Sequence, residues 1–187
     1  MRTLLAFNFI TLDGYFQGPN RDISWHGHDA EEHEVALEGL RSESTLVFGR
    51  VTYELMAGYW PTPQAKKNDP VVADGMNRAD KIVFSRTLKT AEWNNTTLVS
   101  DDAVTAVAKL KQTPGRDMAL MGSGSIVTQL ARHGLIDHYE LMVNPVALGE
   151  GTSIFKGLGR RLNLKLTSTR TFRTGVVLLS YQPSEKA

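Results

Sequence analysis

"MGSGSIVTQLARHG", residues 121–134, follows a short apolar run and opens an amphipathic one. In an open α/β sheet, a buried strand followed by glycines and a helix start is where ligands bind. The first helical N–H groups are unpaired and attract an anion, and glycine lets it approach the backbone. The same residues also suit an ordinary strand-to-helix turn. Spacing sorts the possible sheets. Gly122 and Gly124 match the first two glycines of G-x-G-x-x-G, but Val127 stands where the third falls, so the Rossmann fingerprint fails. The spacing of G-x-S-x-G fails as well, which disfavours an α/β-hydrolase elbow. The lysine of a P-loop is missing.

Outward from this stretch, strand and helix patterns alternate. Thr3 to Ile10 reads as a strand, and "LDGYF" (12–16) follows it. Asp29 is placed to cap a helix running to about Arg41, with Glu31, Glu32 and Glu34 favourable to its N-terminal dipole. "STLVFGR" (44–50) reads as a strand, and "VTYELMAGYW" (51–60) as a helix stopping near Gly58. Residues 61–70 carry three prolines and read as a surface loop. "KIVFS" (81–85), "TTLVS" (96–100) and "DMALMG" (117–122) read as strands, and "DDAVTAVAKLKQ" (101–112) as a helix. The last third is strand only: 138–148, 163–173 and 176–182, the last two joined by a tight Thr174-Gly175 turn. The expected class is α/β, a mostly parallel sheet with helices on both faces and an antiparallel C-terminal hairpin at one edge.

Composition bounds the function. A length of 187 residues suits one domain, 1–187, and no internal repeat or linker divides it. A net charge of +1 gives no bulk attraction to nucleic acid or an anionic membrane. Cysteine is absent, which removes disulfides, a thiol nucleophile and thiolate metal sites. The N-terminal apolar run alternates with polar residues and lacks a small-residue cleavage site, so it reads as a strand and not a signal peptide. No run approaches the ~18 apolar residues of a membrane span. A cytoplasmic location is expected.

Three strand ends carry candidate anion sites. Gly49, Arg50 and Thr52 offer a backbone turn, a guanidinium and a hydroxyl. Ser85 and Arg86 are placed to grip a second phosphate. Each alone also reads as a plain turn with a surface arginine. Together with the 121–134 stretch they suit a dinucleotide, which needs more than one anion site. A 2′-phosphate would use Arg50, Ser85 or Arg86. "SWHGHDAEEHE" (24–34) holds His26, His28, Asp29, Glu32 and His33. H-E-x-x-H fails because position 37 is leucine, so a solvated helix start is favoured over a metal site. Trp25 reads as an aromatic wall or as core packing. Asp13 reads as a turn residue or as a cleft carboxylate able to relay a proton.

These motifs resemble the dihydrofolate reductase-like proteins, in the branch similar to the C-terminal reductase domain of bifunctional riboflavin-biosynthesis deaminase/reductases. "TLDGY" (11–15), "FGRVTYE" (48–54), "KIVFSRTL" (81–88), "MGSGSIVTQL" (121–130), "GLIDHYELMVNPVALGEGTSIF" (134–155) and "FRTGVVLLSY" (172–181) carry the resemblance, in family order. It implies a three-layer dihydrofolate reductase-like sandwich with NADPH across the strand ends. Gly49, Arg50 and Thr52 match the family's phosphate turn. Ser85, Arg86 and Leu88 match its adenosine and 2′-phosphate loop. Gly122, Ser123, Gly124, Ser125 and Ile126 match its pyrophosphate and nicotinamide-side loop. Asp13 matches the first-loop aspartate, and is the expected catalytic relay. Phe16, Trp25, Tyr59 and Trp60 are the expected substrate walls. A homodimer meeting through the C-terminal strands is implied as well. In dihydrofolate reductases a helix carboxylate anchors the pterin after a tryptophan-containing loop. Here Trp25 is present, but the acids stand at 29, 31, 32 and 34, none at the matching spacing, which argues against folate. The expected activity is hydride transfer from NADPH to a C=N or C=O of a small pterin- or pyrimidine-like substrate. The alternative is a non-catalytic nucleotide-binding protein on the same fold.

Overall fold

The computed structural model describes residues 1–27 and 29–184. Strand β1 (Leu4–Thr11) places Leu4, Ala6 and Ile10 in one core layer and Phe7 and Phe9 in another. This two-faced burial is the period-2 alternation read from the sequence. After β1 come β2 (Tyr15–Gln17), α1 (Ala30–Arg41), β3 (Thr45–Gly49) and α2 (Arg50–Tyr59). Then follow α3 (Pro63–Asn68), α4 (Pro70–Arg78), β4 (Lys81–Phe84) and β5 (Thr96–Val99). The chain continues through α5 (Ala103–Gln112), β6 (Met118–Met121), α6 (Gly124–Arg132) and β7 (His138–Asn144). It ends with β8 (Thr152–Ser153), β9 (Leu164–Thr171) and β10 (Val177–Pro183).

Eight strands form one sheet in the order β5-β4-β3-β6-β1-β7-β10-β9. The pairs from β5 to β7 are parallel, and β10 pairs antiparallel with both β7 and β9. Helices α5 and α6 pack on one face through Val107, Val127, Leu130 and Ala131. Helices α1, α2 and α4 cover the other through Leu37, Leu40, Tyr53, Met56, Val72 and Met76. This is the expected three-layer α/β sandwich with its antiparallel hairpin. The turn closing that hairpin holds Gly175 at φ +88°, and its N–H donates to the Phe172 carbonyl.

Three local expectations are corrected. Residues 61–70 are not a loop: Pro63 and Pro70 are the first residues of α3 and α4. Proline is tolerated at a helix start because its missing N–H has no partner there anyway, and Thr62 and Asp69 cap the two helices with their side chains. Helix α2 runs past Gly58 to Tyr59. Strand β7 stops at Asn144, before Pro145, which has no N–H for a ladder. A small antiparallel pair, β2 with β8, adds a flap that the sequence did not signal. No described helix is long and apolar enough to cross a membrane.

Candidate functional site

Strands β4, β3, β6 and β1 are parallel neighbours, so their carboxyl ends open on one edge. The segments leaving that edge are 85–88, 49–52, 122–126 and 12–16, the same four the sequence singled out. Helices α2 and α6 start here. Asp29, Thr62, Asp69 and Asp102 cap α1, α3, α4 and α5 by accepting backbone N–H groups. Gly49 and Ser123, before α2 and α6, make no such bond. The two helix starts on this edge therefore keep first-turn donors that no side-chain cap uses.

The two helix starts are fastened together. The Ser123 hydroxyl accepts the Gly49 N–H at 2.8 Å and donates to Thr52 Oγ1 at 3.0 Å. Ser123 sits at φ +60°, ψ +54°, a left-handed conformation that a non-glycine residue adopts only when its surroundings hold it. A Cβ on Gly49 would lie 3.2 Å from Ser123 Oγ and 3.3 Å from Ile126 Cγ1. A Cβ on Gly122, at φ +58°, would lie 3.3 Å from Thr52 Oγ1. Gly49, Thr52, Gly122, Ser123, Gly124 and Ile126 thus form one tight corner, with Ser125 exposed on its rim.

The expected arginines stand at the edge with other ties. Arg50 pairs with Glu54 one turn along α2, at 2.9 Å. Arg86 lies close enough to Asp102 to help the Thr105 N–H hold that carboxyl below its ordinary value. Ser85 Oγ accepts the N–H groups of Thr87 and Leu88, and the Leu88 side chain packs into the α2/α4 core. Leu88 is therefore a packing residue whose amide is already used.

Asp13 is committed to the fold. Its carboxylate accepts the Thr11 hydroxyl at 2.5 Å, the Leu148 N–H at 3.0 Å and the Gly149 N–H at 2.8 Å. These bonds, the Thr11 hydroxyl foremost, hold its carboxyl below the ordinary 3.8. A carboxylate held ionised is a poor proton source, and this one staples "TLDGY" to "NPVALGEG".

Glu32 is a second carboxylate near this edge of the sheet's α1 face: it lies in the first turn of α1, is 6% exposed, and accepts the Thr174 hydroxyl on Oε1 at 2.6 Å. Its Oε2 is buried with no hydrogen-bond partner. A half-satisfied buried carboxylate costs several kcal/mol. Glu32, Ala36 and Gly39 fall on one stripe of α1, flanked by Val35 and Leu40, which both pack inward. Ala36 and Gly39 are exposed, and a Cβ on Gly39 would meet nothing within 4 Å. Trp25 lies T-shaped on His26 at 4.3 Å, and His26 stacks on Phe9 at 4.7 Å. Phe9 meets Phe7 edge-on at 5.4 Å. An aromatic wall thus stands on the α1 face of β1.

The other expected walls lie elsewhere. The Phe16 ring rests on Gly124, so close that a Cβ there would come within 2.5 Å. It covers the α6 start and does not join the Trp25 wall. Tyr59 and Trp60 lie at the far end of α2, about 15 Å along the helix from Gly49. Trp60 packs into the α1/α2/α4 core, and the Tyr59 hydroxyl accepts from Asn68 Nδ2. Two grooves, of 460 and 470 Å³, lie outside α2 and at the amino ends of β1, β6 and β7. Among the described residues no three His, Asp or Glu side chains gather for a metal; His28 lies outside them.

Residues 2–178 match the family model of the RibD C-terminal domain. The chain belongs to the RibD C-terminal domain family. The protein YyaP of Bacillus subtilis, described as uncharacterized, is 33% identical over 172 residues, covering 92% of this chain and 90% of YyaP. The diaminohydroxyphosphoribosylaminopyrimidine deaminase/5-amino-6-(5-phosphoribosylamino)uracil reductase of Thermotoga maritima superposes with a TM-score of 0.68 at 16% identity, over 98% of this chain and 57% of that one. Dihydrofolate reductase of Enterococcus faecalis, complexed with NADP(H), superposes with a TM-score of 0.65 at 14% identity, over 98% of this chain and 97% of that one. The RibD-type chain therefore has a dihydrofolate reductase-like fold. Spacing alone does not separate Glu32 from the neighbouring acids of α1; its contact with Thr174, 142 residues away, does.

Proposed function

We propose that this chain is an NADPH-dependent reductase that delivers hydride to a C=N or C=O carbon of a small pterin- or pyrimidine-like heterocycle. The observation that carries the reading is the corner where Ser123 joins the α2 and α6 starts, both without side-chain caps. The donor set fits a dinucleotide phosphate. Gly49, Gly122 and Gly124 let the two helix starts meet closely, Thr52 and Ser125 add hydroxyls, and Ser85, Arg50 and Arg86 stand at the adjacent strand ends for a 2′-phosphate. The Thermotoga and Enterococcus proteins, both named as reductases, support the same reading.

When bound, NADPH supplies the hydride. The chain's own residues do the rest. Glu32 Oε2 accepts an N–H of the heterocycle, because an ionised carboxylate only accepts and Oε1 is already taken by Thr174. That bond orients the ring against Phe9 and Trp25. The proton for the reduced centre is delivered by a water molecule. Asp13 acts as a positioning residue, fixing the first loop to residues 148–149. Two copies meet through the C-terminal hairpin, a reading supported by β9, which is exposed along most of its length and carries Leu166 at 48% exposure.

NADPH oxidation measured with pterin, pyrimidine and quinone acceptors tests the activity. Turnover with at least one heterocycle is expected. Tight NADPH binding without turnover of any acceptor would favour the non-catalytic nucleotide-binding alternative. The double variant Arg50→Ala/Arg86→Ala is expected to weaken NADPH by at least tenfold more than NADH; equal losses would remove the 2′-phosphate assignment.

A further inference from the structure

We propose that Asn8 recognises the carboxamide of the nicotinamide, its Oδ1 accepting from that amide and its Nδ2 donating to it; the inference rests on the NADPH reading above. Asn8 is only 2% exposed, yet neither Oδ1 nor Nδ2 has a hydrogen-bond partner. Folded chains rarely leave both ends of a buried amide unmatched, because each end has given up water for nothing.

Its place in the sheet identifies the partner. Strand β1 pairs with β6 up to Phe7 opposite Met121, and the Phe7 carbonyl then accepts the Gly122 N–H at 3.0 Å. Asn8 is therefore the first residue of β1 beyond the end of β6, beside the glycine turn. Strand alternation puts its side chain on the α5/α6 face with Ala6 and Ile10, where α6 begins. Its neighbour across β7, Leu141, is apolar core. Phe16 rests on Gly124 at the same corner.

The chemistry narrows the choice. A phosphate has no donor for Oδ1. The substrate heterocycle is the partner of Glu32, whose free oxygen accepts a ring N–H. A primary carboxamide offers one acceptor and one donor, the mirror of Asn8, and two amides pair reciprocally through two N–H···O bonds. An asparagine here then selects a cofactor ring that carries an amide and fixes which way the ring lies.

Calorimetric titration decides it, using unmodified protein and Asn8→Leu. The ligands are NADPH, its 3-acetylpyridine analogue, whose methyl ketone lacks the amide donor, and 2′-phospho-ADP-ribose, which lacks the ring. In Asn8→Leu, NADPH is expected to weaken about tenfold or more, with 2′-phospho-ADP-ribose unchanged within about twofold. The unmodified protein is expected to bind the analogue more weakly than NADPH, and the variant to bind both alike. Equal loss of NADPH and 2′-phospho-ADP-ribose, or loss of neither, would overturn the assignment. If Asn8→Leu does not fold, equal affinity of the unmodified protein for NADPH and its analogue overturns it. If the unmodified protein binds neither NADPH nor 2′-phospho-ADP-ribose, the cofactor reading itself falls and the Asn8 assignment with it.

Discussion

Two carboxylates divide the roles at the residue scale, and their hydrogen bonds tell them apart. Asp13 is exposed and accepts three bonds, so its charge is spent on holding two loops together. Glu32 is buried and keeps one oxygen unmatched. The sequence displays both acids equally well, Asp13 in a turn motif and Glu32 in a first helical turn. What separates them is a long-range fact, the Thr174 hydroxyl arriving from the β9–β10 turn. Glu32→Gln preserves shape and an acceptor for Thr174 while removing the charge that holds the ring N–H. It is expected to lower kcat/KM by about 10–10² with NADPH affinity unchanged within about twofold. Steady-state kinetics with a calorimetric Kd check this; a variant with unimpaired kcat/KM would show that Glu32 serves packing alone.

The glycines gain their meaning at the scale of elements. Gly49 and Gly58 both belong to the α2 segment, and a sequence reading treats each as a turn or stop signal. Their surroundings differ. A methyl on Gly49 would crowd Ser123 and Ile126, whereas one on Gly58 would meet nothing within 4 Å. Gly49→Ala is therefore expected to cost about 1–3 kcal/mol, from overpacking. Gly58→Ala, inside the helix, is expected to gain roughly 0.4–1 kcal/mol from helix propensity and a less flexible unfolded chain. Urea unfolding of both variants measures the contrast, and equal effects would contradict the tight corner. Strand β1 and helices α1, α5 and α6 were legible because their periodicities, and the Asp29 and Asp102 caps of α1 and α5, are local. Helices α3 and α4 were not, because proline marks both a break and a helix start. The cap geometry of Thr62 and Asp69 settles which.

For the whole molecule, the order of parallel strands explains why distant motifs converge. Placing β6 between β3 and β1 brings residues 49–52 and 122–126 together, which no local spacing reveals. The alternation of elements did forecast the layers and the antiparallel edge. The convergence itself followed from the family resemblance and not from any motif alone. The same topology leaves β9 as an exposed edge strand, which soluble proteins usually cover or blunt. Sedimentation velocity is expected to show a dimer that Leu166→Arg converts to monomer; a monomeric unmodified protein would contradict the hairpin contact. The central claim is that the Ser123-fastened corner holds a dinucleotide with its nicotinamide towards Glu32. A crystal structure of the NADP⁺ complex tests it most directly. The account predicts pyrophosphate oxygens on the N–H groups of Ser123, Gly124 and Ser125 and the 2′-phosphate beside Arg86 or Arg50. It also predicts the nicotinamide between Asn8 and the Glu32 face. A dinucleotide bound in another groove, or none bound at millimolar NADP⁺, would contradict it.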